Sequence, residues 1–514
     1  MRQALLCFSL FLLPAIDGVA QEAGDMLFDT EQVIEIRLTF PDDDYWTTLS
    51  LNHFANDETY LSAAVELVDN SGTHFLDSIG VRLKGNSSFD FYPTSKKPMK
   101  LDFNHFIAGQ NYHGLKKLNL NNCWSDPSFM REKTFFDVSR EQGVLAPRMS
   151  YANVYLNDIF WGFYALVEQV DKTYLDRWFG ENDGYLYKAG DNYTPDGGGL
   201  GLEADLNHYG NSAANYTGRY ELKTHEELND WSQLIDLLDL IDNASNAVLL
   251  AELPVRMDLL TVLRSLALDN LFGSMDSYYG SARNYYLYQD STTLSWHWIK
   301  WDANMSYGRY VPSNIDDPAL LPAAFTTPGR RLLQRVLQNP TLRTMYLNEY
   351  CSVFEAFTNE AMDTRFDALA DMIRTHVEAD VNKEFDNGVF DLNIEQTVTA
   401  QSGQNWNTIP GLKSFIAQRR GFLLSSGLDC TTAGLAERGE QELKAFPNPT
   451  SGPITLTLPS GLRGGSVRIL DPMGRVVDEQ EWTGRVDLSG QPAGSYTILL
   501  NGQDFAARAL VIKE

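Results

Sequence analysis

The chain has 514 residues, 43% of them apolar and 12% aromatic, and a formal net charge of −27. That length supports a large core and more than one domain. So acidic a balance argues against a nucleic-acid-binding surface and for solubility.

Residues 1–20 read as a secretory signal peptide. Arg2 is the basic start, Ala4 to Ala15 is apolar but too short to cross a membrane, and Gly18-Val19-Ala20 offers a small-residue cleavage site before Gln21. No other run is long and apolar enough to be a transmembrane segment. Cleavage removes Cys7 and leaves Cys123, Cys351 and Cys430. Export permits disulfides, and an odd count leaves at least one thiol unbonded. Position alone suggests Cys351 with Cys430, the alternative being buried free thiols.

From Phe28 to Phe103 the chain reads as strands. VIEIRLTF, TYLSAAVELV and SIGVRLKG alternate apolar and polar positions, DNSGTH supplies a turn, and SKKPMKLDF adds a short strand. Helical spacing follows from Asp126 to Gly143, with Ser125 or Asp126 as cap. YANVYLNDIFWGFYALVEQVD is a hairpin turning at Asn157-Asp158. Gly190 to Gly218 is rich in Gly, Asn and Asp and reads as a long loop. Beyond it WSQLIDLLDLI, MDLLTVLRSLALDNLF, TPGRRLLQRVL, LRTMYLNEYCSVFEAF, RFDALADMIRTHVEADV and IPGLKSFIAQRRGFLL are helical. A strand-rich part thus precedes a helix-rich part, an α+β layout whose cleft is a favoured ligand site. Ala433 to Leu443 is a charged linker. The remaining residues alternate in short strands between Gly, Pro and Asn turns, as a small β-sandwich does.

Chemistry concentrates in LFGSMDSYYGSARNYYLYQDSTTLSWHWIKWDANMSYG, residues 271–308. Asp276, Asn284 and Asp302 arrive in that order around two aromatic strand-like runs. A base-like carboxylate followed by two hard oxygen ligands is what phosphoryl transfer needs: Asp276 to take or orient an acceptor hydroxyl, Asn284 and Asp302 to hold Mg²⁺. Singly, each also suits a turn or strand end. Upstream, VRLKGNSSFDFYPTSKKPMKLDF offers Arg82, Lys84, a turn with Asn86 and Ser87, and Lys96, Lys97 and Lys100. Backbone N–H groups of such a turn and a lysine nearby suit phosphates, and an ordinary hairpin with a solvated basic face is the plainer alternative. Glu132 on the following helix is a candidate partner for a strand lysine, a solvated helix face being the plainer alternative. Glu168, closing an apolar strand, stands where a hinge would meet a nucleotide base.

RLKGNSS, KKPMKLDF, GLKKLNLN, REKTFFDVSREQGVLAP, VYLNDIFWGFYALVEQVDK, GYLYK, ELKT, DNLFGSMDS with RNYYLY, and WIKWDANMSYG occur in an order that resembles the CotH family, named for spore coat protein H. The resemblance covers roughly residues 30–430. It implies an atypical two-lobed protein-kinase-like fold over residues 21–435, ATP with Mg²⁺, and phosphoryl transfer to serine or threonine of proteins. Within it Asp276 matches the base, Asn284 and Asp302 the metal ligands, and Lys100 with Glu132 the phosphate lysine and its partner. Lys84, Lys96 and Lys97 compete with Lys100. Arg283 stands where the family often has His, and Lys300 where it often has Pro. Residues 436–514, with FPNPTSG, the turn at Asp471 to Arg475, DLSGQPAGSY and the final VIKE, resemble the type A sorting domain of the type IX secretion system. That implies passage through the periplasm to the cell surface or medium. A non-catalytic surface or adhesion protein on the same scaffold is the competing function, and a phosphate-releasing hydrolase a third.

Overall fold

A computed structural model describes residues 22–28, 32–55, 57–190, 202–310, 321–323, 329–402, 405–430, 440–457, 465–470, 476–501 and 506–513. The signal peptide, the first part of the Gly-rich loop, most of the charged linker and the turn at Asp471 lie outside them.

The first half builds a barrel. Its elements are α1 (Asp25–Phe28), β1 (Val33–Thr39), α2 (Tyr45–Phe54), β2 (Leu61–Asp69), β3 (Gly72–Leu83), α3 (Ser87–Asp90), β4 (Met99–Asp102), β5 (Lys117–Asn121), α4 (Arg131–Glu141), β6 (Met149–Leu156) and β7 (Ile159–Glu168). The strands close in the order β1-β2-β3-β4-β5-β7-β6, with β1 and β6 joined in parallel. Closure removes free edges. It also sorts side chains by parity: Ile34, Ile36, Val65, Leu67, Val81, Leu83, Met99, Leu101, Leu118 and Leu120 fill the interior. Their alternates Arg82, Lys100, Asn119 and Asn121 therefore lie on the outer face. Strand β7 is buried on both sides. Tyr164 and Leu166 join the barrel interior, while Phe163, Ala165 and Val167 join the larger core. The β6–β7 turn at Asn157 and Asp158 has φ of +46° and +64°, the backbone that a two-residue hairpin demands.

The expected helix at Asp126 begins later, at Arg131. Met130, not Ser125 or Asp126, stands at its N-cap; Asp126 accepts the Arg131 N–H at 2.9 Å from the preceding turn, and Phe129, with φ +61°, breaks the spacing before it.

The second half follows as α5 (Lys172–Phe179), β8 (Tyr185–Ala189), β9 (Tyr220–Leu222), α6 (Ser232–Asn243), α7 (Asn246–Arg256), α8 (Leu259–Leu271), β10 (Tyr285–Gln289) and β11 (Trp296–Lys300). Helices α9 (Arg331–Gln338), α10 (Pro340–Ala356), α11 (Asn359–Ala379) and α12 (Asn387–Glu395), strands β12 (Val398–Ser402) and β13 (Asn405–Ile409), and α13 (Leu412–Ser425) complete it. Strands β11-β10-β8-β9 form one sheet. The YYLY run serves both of its faces, Tyr285 and Leu287 in the large helical core, Tyr286 and Tyr288 in a smaller cluster with Tyr174 and Ile299. Cys351 and Cys430 form a disulfide, tying α10 to the segment after α13, and Cys123 is a free thiol. The chain is thus mixed α+β.

After residue 439 the strands are β14 (Glu440–Glu442), β15 (Lys444–Phe446), β16 (Pro453–Thr457), β17 (Ser466–Leu470), β18 (Val476–Glu481), β19 (Arg485–Asp487), β20 (Gly494–Asn501) and β21 (Ala506–Lys513). They form sheets β14-β21-β20-β17-β18 and β15-β16-β19. Ile454, Leu456 and Val486 from the smaller sheet share one core with Val467, Ile469, Ile498 and Val511 from the larger.

One buried ion pair ties the barrel to the helices. Lys96 Nζ lies 2.7 Å from Asp380 Oδ2, both side chains fully buried, and Asp380 also accepts the Phe163 N–H at 3.0 Å. Gly162 has φ +154°, and a Cβ there would sit 3.0 Å from Lys96 and 3.1 Å from Asp380, so the strand passes close only without a side chain. Lys96→Met strands the carboxylate and is expected to cost about 3–5 kcal/mol. Adding Asp380→Leu should recover much of that loss. Thermal melting of the single and double variants checks it, and equal midpoints for parent and Lys96→Met would contradict it.

Candidate functional site

The outer face of β3, β4 and β5 is the basic side of the site. Lys84 follows β3 directly, and its Nζ donates to Asn119 Oδ1 at 3.1 Å and Asn121 Oδ1 at 3.0 Å. The other amide atom of Asn121 donates to Glu132 Oε2 at 3.2 Å. Glu132 lies in the first turn of α4 and is buried. Its carboxyl is raised by burial, and this is opposed by the Asn121 N–H, the Lys84 charge and the backbone N–H of Ala303. That last contact reaches across to the residue after Asp302. Burial pulls Lys84 down to about 8, against the charges of Asp302 and then Glu132, which raise it.

Asp302 and Asn284 share one end of a hairpin. Tyr285 pairs with Lys300 in the β10–β11 ladder, so Asn284 and Asp302 flank its last rung. Both take left-handed backbone, φ +61° and +49°. Asn284 Nδ2 donates to the carbonyl of Asp276 at 2.8 Å, which joins the Asp276 loop to the hairpin. That loop turns at Gly273, where a Cβ would meet the Gly308 nitrogen at 3.2 Å and the Phe415 ring at 3.3 Å. Beneath it Lys300 Nζ meets Asp269 Oδ2 of α8 at 2.5 Å, both nearly fully buried. Burial lowers the lysine and raises the carboxyl. Lys300, where the resemblance leads one to expect Pro, therefore anchors the strand that carries Asp302. Arg283 is buried and donates to Ser281 O at 3.3 Å.

The four competing lysines separate cleanly. Lys96 is committed to Asp380. Lys97 Nζ donates to the carbonyls of Phe89 and Tyr92 at 2.6 and 2.8 Å. Lys84, rather than Lys100, neighbours Glu132. The cause is register: Arg82 pairs with Lys100, so Lys100 sits one pleat back from Lys84 along the same face. Lys100 is half-buried and lowered to about 7, first by burial and then by Arg82, Lys117, Lys84 and Lys223. A half-buried lysine facing other cations is a place for an anion.

Asn86 and Ser87 follow Lys84 at the start of the one-turn helix α3. Asn122 Nδ2 holds the segment through Ser88 O at 2.9 Å and Lys96 O at 3.0 Å. Glu168 stands elsewhere. It pairs with Leu118, so parity turns its side chain away from the lysine face, where Arg148 meets it at 2.8 Å and Arg177 at 3.4 Å. Asn119 and Asn121 were missed from sequence, although their two-residue spacing in KLNLN marks one face of a strand.

The model of the family described as CotH kinase protein matches residues 81–423. That of the secretion system C-terminal sorting domain matches residues 444–513. The inner spore coat protein H of Bacillus subtilis (strain 168) is 28% identical over 315 residues, covering 61% of this chain and 81% of that protein. The sorting domain marks a protein sent by type IX secretion to the cell surface or medium, and no helix among the described residues is long and apolar enough to cross a membrane.

The lysine environment is directly measurable. In an NMR titration of ¹³C-labelled lysines, one resonance should titrate near 8 and vanish in Lys84→Met, and another near 7 should vanish in Lys100→Met. Asp302→Asn removes a charge that favours protonated Lys84 and should move its midpoint lower still. Two midpoints at ordinary lysine values would contradict the geometry.

Proposed function

The chain belongs to the CotH kinase protein family, and from that premise we propose that it is an exported protein kinase that moves the γ-phosphoryl group of ATP to serine or threonine hydroxyls. The observation that carries this reading is the chain of contacts from Glu132 through Asn121 to Lys84, facing Asp302 beside Asn284. Protein kinases use a lysine, a helical glutamate and a metal-binding Asp and Asn in the same roles. The strand barrel and the helical part would be the two lobes, within a domain spanning residues 21–435, with 436–514 as the exported tail.

Asn284 and Asp302 are the oxygen donors that would hold Mg²⁺, which when bound neutralises phosphate charge and aligns the leaving oxygens. The chain's own groups do the rest. Lys84 and Lys100 bind phosphate oxygens, with Asn86 and Ser87 next to Lys84 along the chain. Glu132 positions Lys84 through Asn121. Asp276, fixed to the hairpin by Asn284, orients the acceptor hydroxyl and takes its proton as the oxygen–phosphorus bond forms and the bond to ADP breaks. The carboxylate of Glu168 orients Arg148 and Arg177, and a base contact there would fall to backbone groups.

A second reading has one specific support: the relative named above is called a coat protein, and a coat component on this scaffold needs no catalysis. The purified chain with labelled ATP, Mg²⁺ and a serine-rich protein decides. The proposal expects label on protein, lost with chelator and reduced about 100-fold or more in Asp276→Asn. ATP bound without label transfer would favour the coat reading, and free phosphate without labelled protein would favour a hydrolase.

A further inference from the structure

Far from that site, three side chains converge at the other end of β3. Asp69 closes β2 and His74 lies near the start of β3, while His113 lies in the connection between β4 and β5. One donor atom from each falls within 4.8 Å of the other two. Asp69 Oδ1 is 3.5 Å from His74 Nε2, close to the ~3.4 Å edge of a tetrahedron with bonds of about 2.1 Å. The two imidazoles stand 4.8 Å apart at 76°, crossed rather than stacked.

The surroundings are those of a braced ligand set. The Asp69 side chain is fully covered, and among the described residues no lysine or arginine pairs with it. Ser71 donates to Oδ1 through its N–H at 2.7 Å and its hydroxyl at 2.6 Å, and the Tyr112 hydroxyl donates to Oδ2. Such outer partners orient a ligating carboxylate. His113 holds left-handed backbone, φ +44°, in a turn closed by Gly114 N–H on Asn111 Oδ1 at 2.7 Å. Its carbonyl accepts the Gly24 N–H at 3.2 Å. Ser71 Oγ also lies 2.7 Å from His74 Nε2; with its proton directed to Asp69 Oδ1 it leaves the imidazole lone pair to the cation.

We propose that Asp69, His74 and His113 bind a divalent cation of the zinc class, with water as the fourth ligand. Two imidazoles and one carboxylate suit zinc, whereas Mg²⁺ and Ca²⁺ prefer oxygen donors throughout. The cation clips the β2–β3 hairpin to the β4–β5 connection and, through His113, to the segment at Gly24. Strand rise over the ten residues from His74 to Lys84 separates it from the lysine site by roughly 30 Å, so its role is structural. It is independent of any kinase activity.

The untagged full chain, stripped with chelator, is given Zn²⁺ and freed of excess. The expected result is one retained zinc per chain and a thermal midpoint several degrees higher than without metal. Co²⁺ should give the intense visible absorption of a tetrahedral site. His113 is exposed, so metal-free His113→Ala should melt like the metal-free parent while losing both the retained zinc and the shift. His74→Ala should lose them too. A parent that retains no zinc, or variants that retain as much as the parent, would overturn the site.

Discussion

Glu132 is a carboxylate inside the protein, and a buried carboxylate keeps its charge only if its surroundings supply positive partners. Three are supplied here, each from a different part of the chain: the Asn121 amide on β5, the Lys84 ammonium beyond β3, and the Ala303 N–H after β11. Barrel, α4 and the Asp302 hairpin therefore meet at one side chain. Displacing α4 would move the lysine and the aspartate together. Its neighbour Arg131 reinforces this, since its fully buried guanidinium holds Asn393 at 2.9 Å and the carbonyl of Ser306 at 3.3 Å.

The constraint behind this junction is strand parity. Closing the barrel sends every second residue of β3, β4 and β5 inward, and the remainder, Arg82, Lys84, Lys100, Asn119 and Asn121, form one polar face. The same rule turns Glu168 away from it. Lys84 and Lys100 lose proton affinity first through burial and only then through repulsion among the cations gathered on this face. The negative charge of a bound polyanion would offset that loss, which is a physical reason for the face to exist.

Much of this was legible in the sequence. The alternating runs became β1 to β4, the Asn157-Asp158 turn became a hairpin, and the 271–308 stretch became a loop and a hairpin with Asn284 and Asp302 at one end. What stayed hidden was long-range. Closure of β1 on β6 joins residues more than a hundred positions apart and leaves no local pattern. The choice of Lys84 over Lys100 beside Glu132 depends on a register of β3 on β4 that both sequences alone permit in several forms. Lys96 looked like a phosphate contact because Asp380, which neutralises it, lies in the distant helical half. Glu168 looked available because Arg148 and Arg177 are not adjacent to it in the chain. Helices α2, α5, α7 and α12 were not read from the sequence; all four are short, and helices of that length take their order from tertiary packing.

The proposed ATP site belongs to a protein that the sorting domain sends outside the cell, where its nucleotide would have to be met. The central claim is that the Lys84–Glu132–Asp302 junction holds nucleotide phosphates. Equilibrium binding of Mg²⁺–ATP to the parent and to Lys84→Met tests it most directly, with melting curves to establish that both are folded. The account predicts a dissociation constant raised about 10- to 100-fold in the variant, the worth of one charged hydrogen-bond donor. Equal affinities in two folded proteins would contradict it.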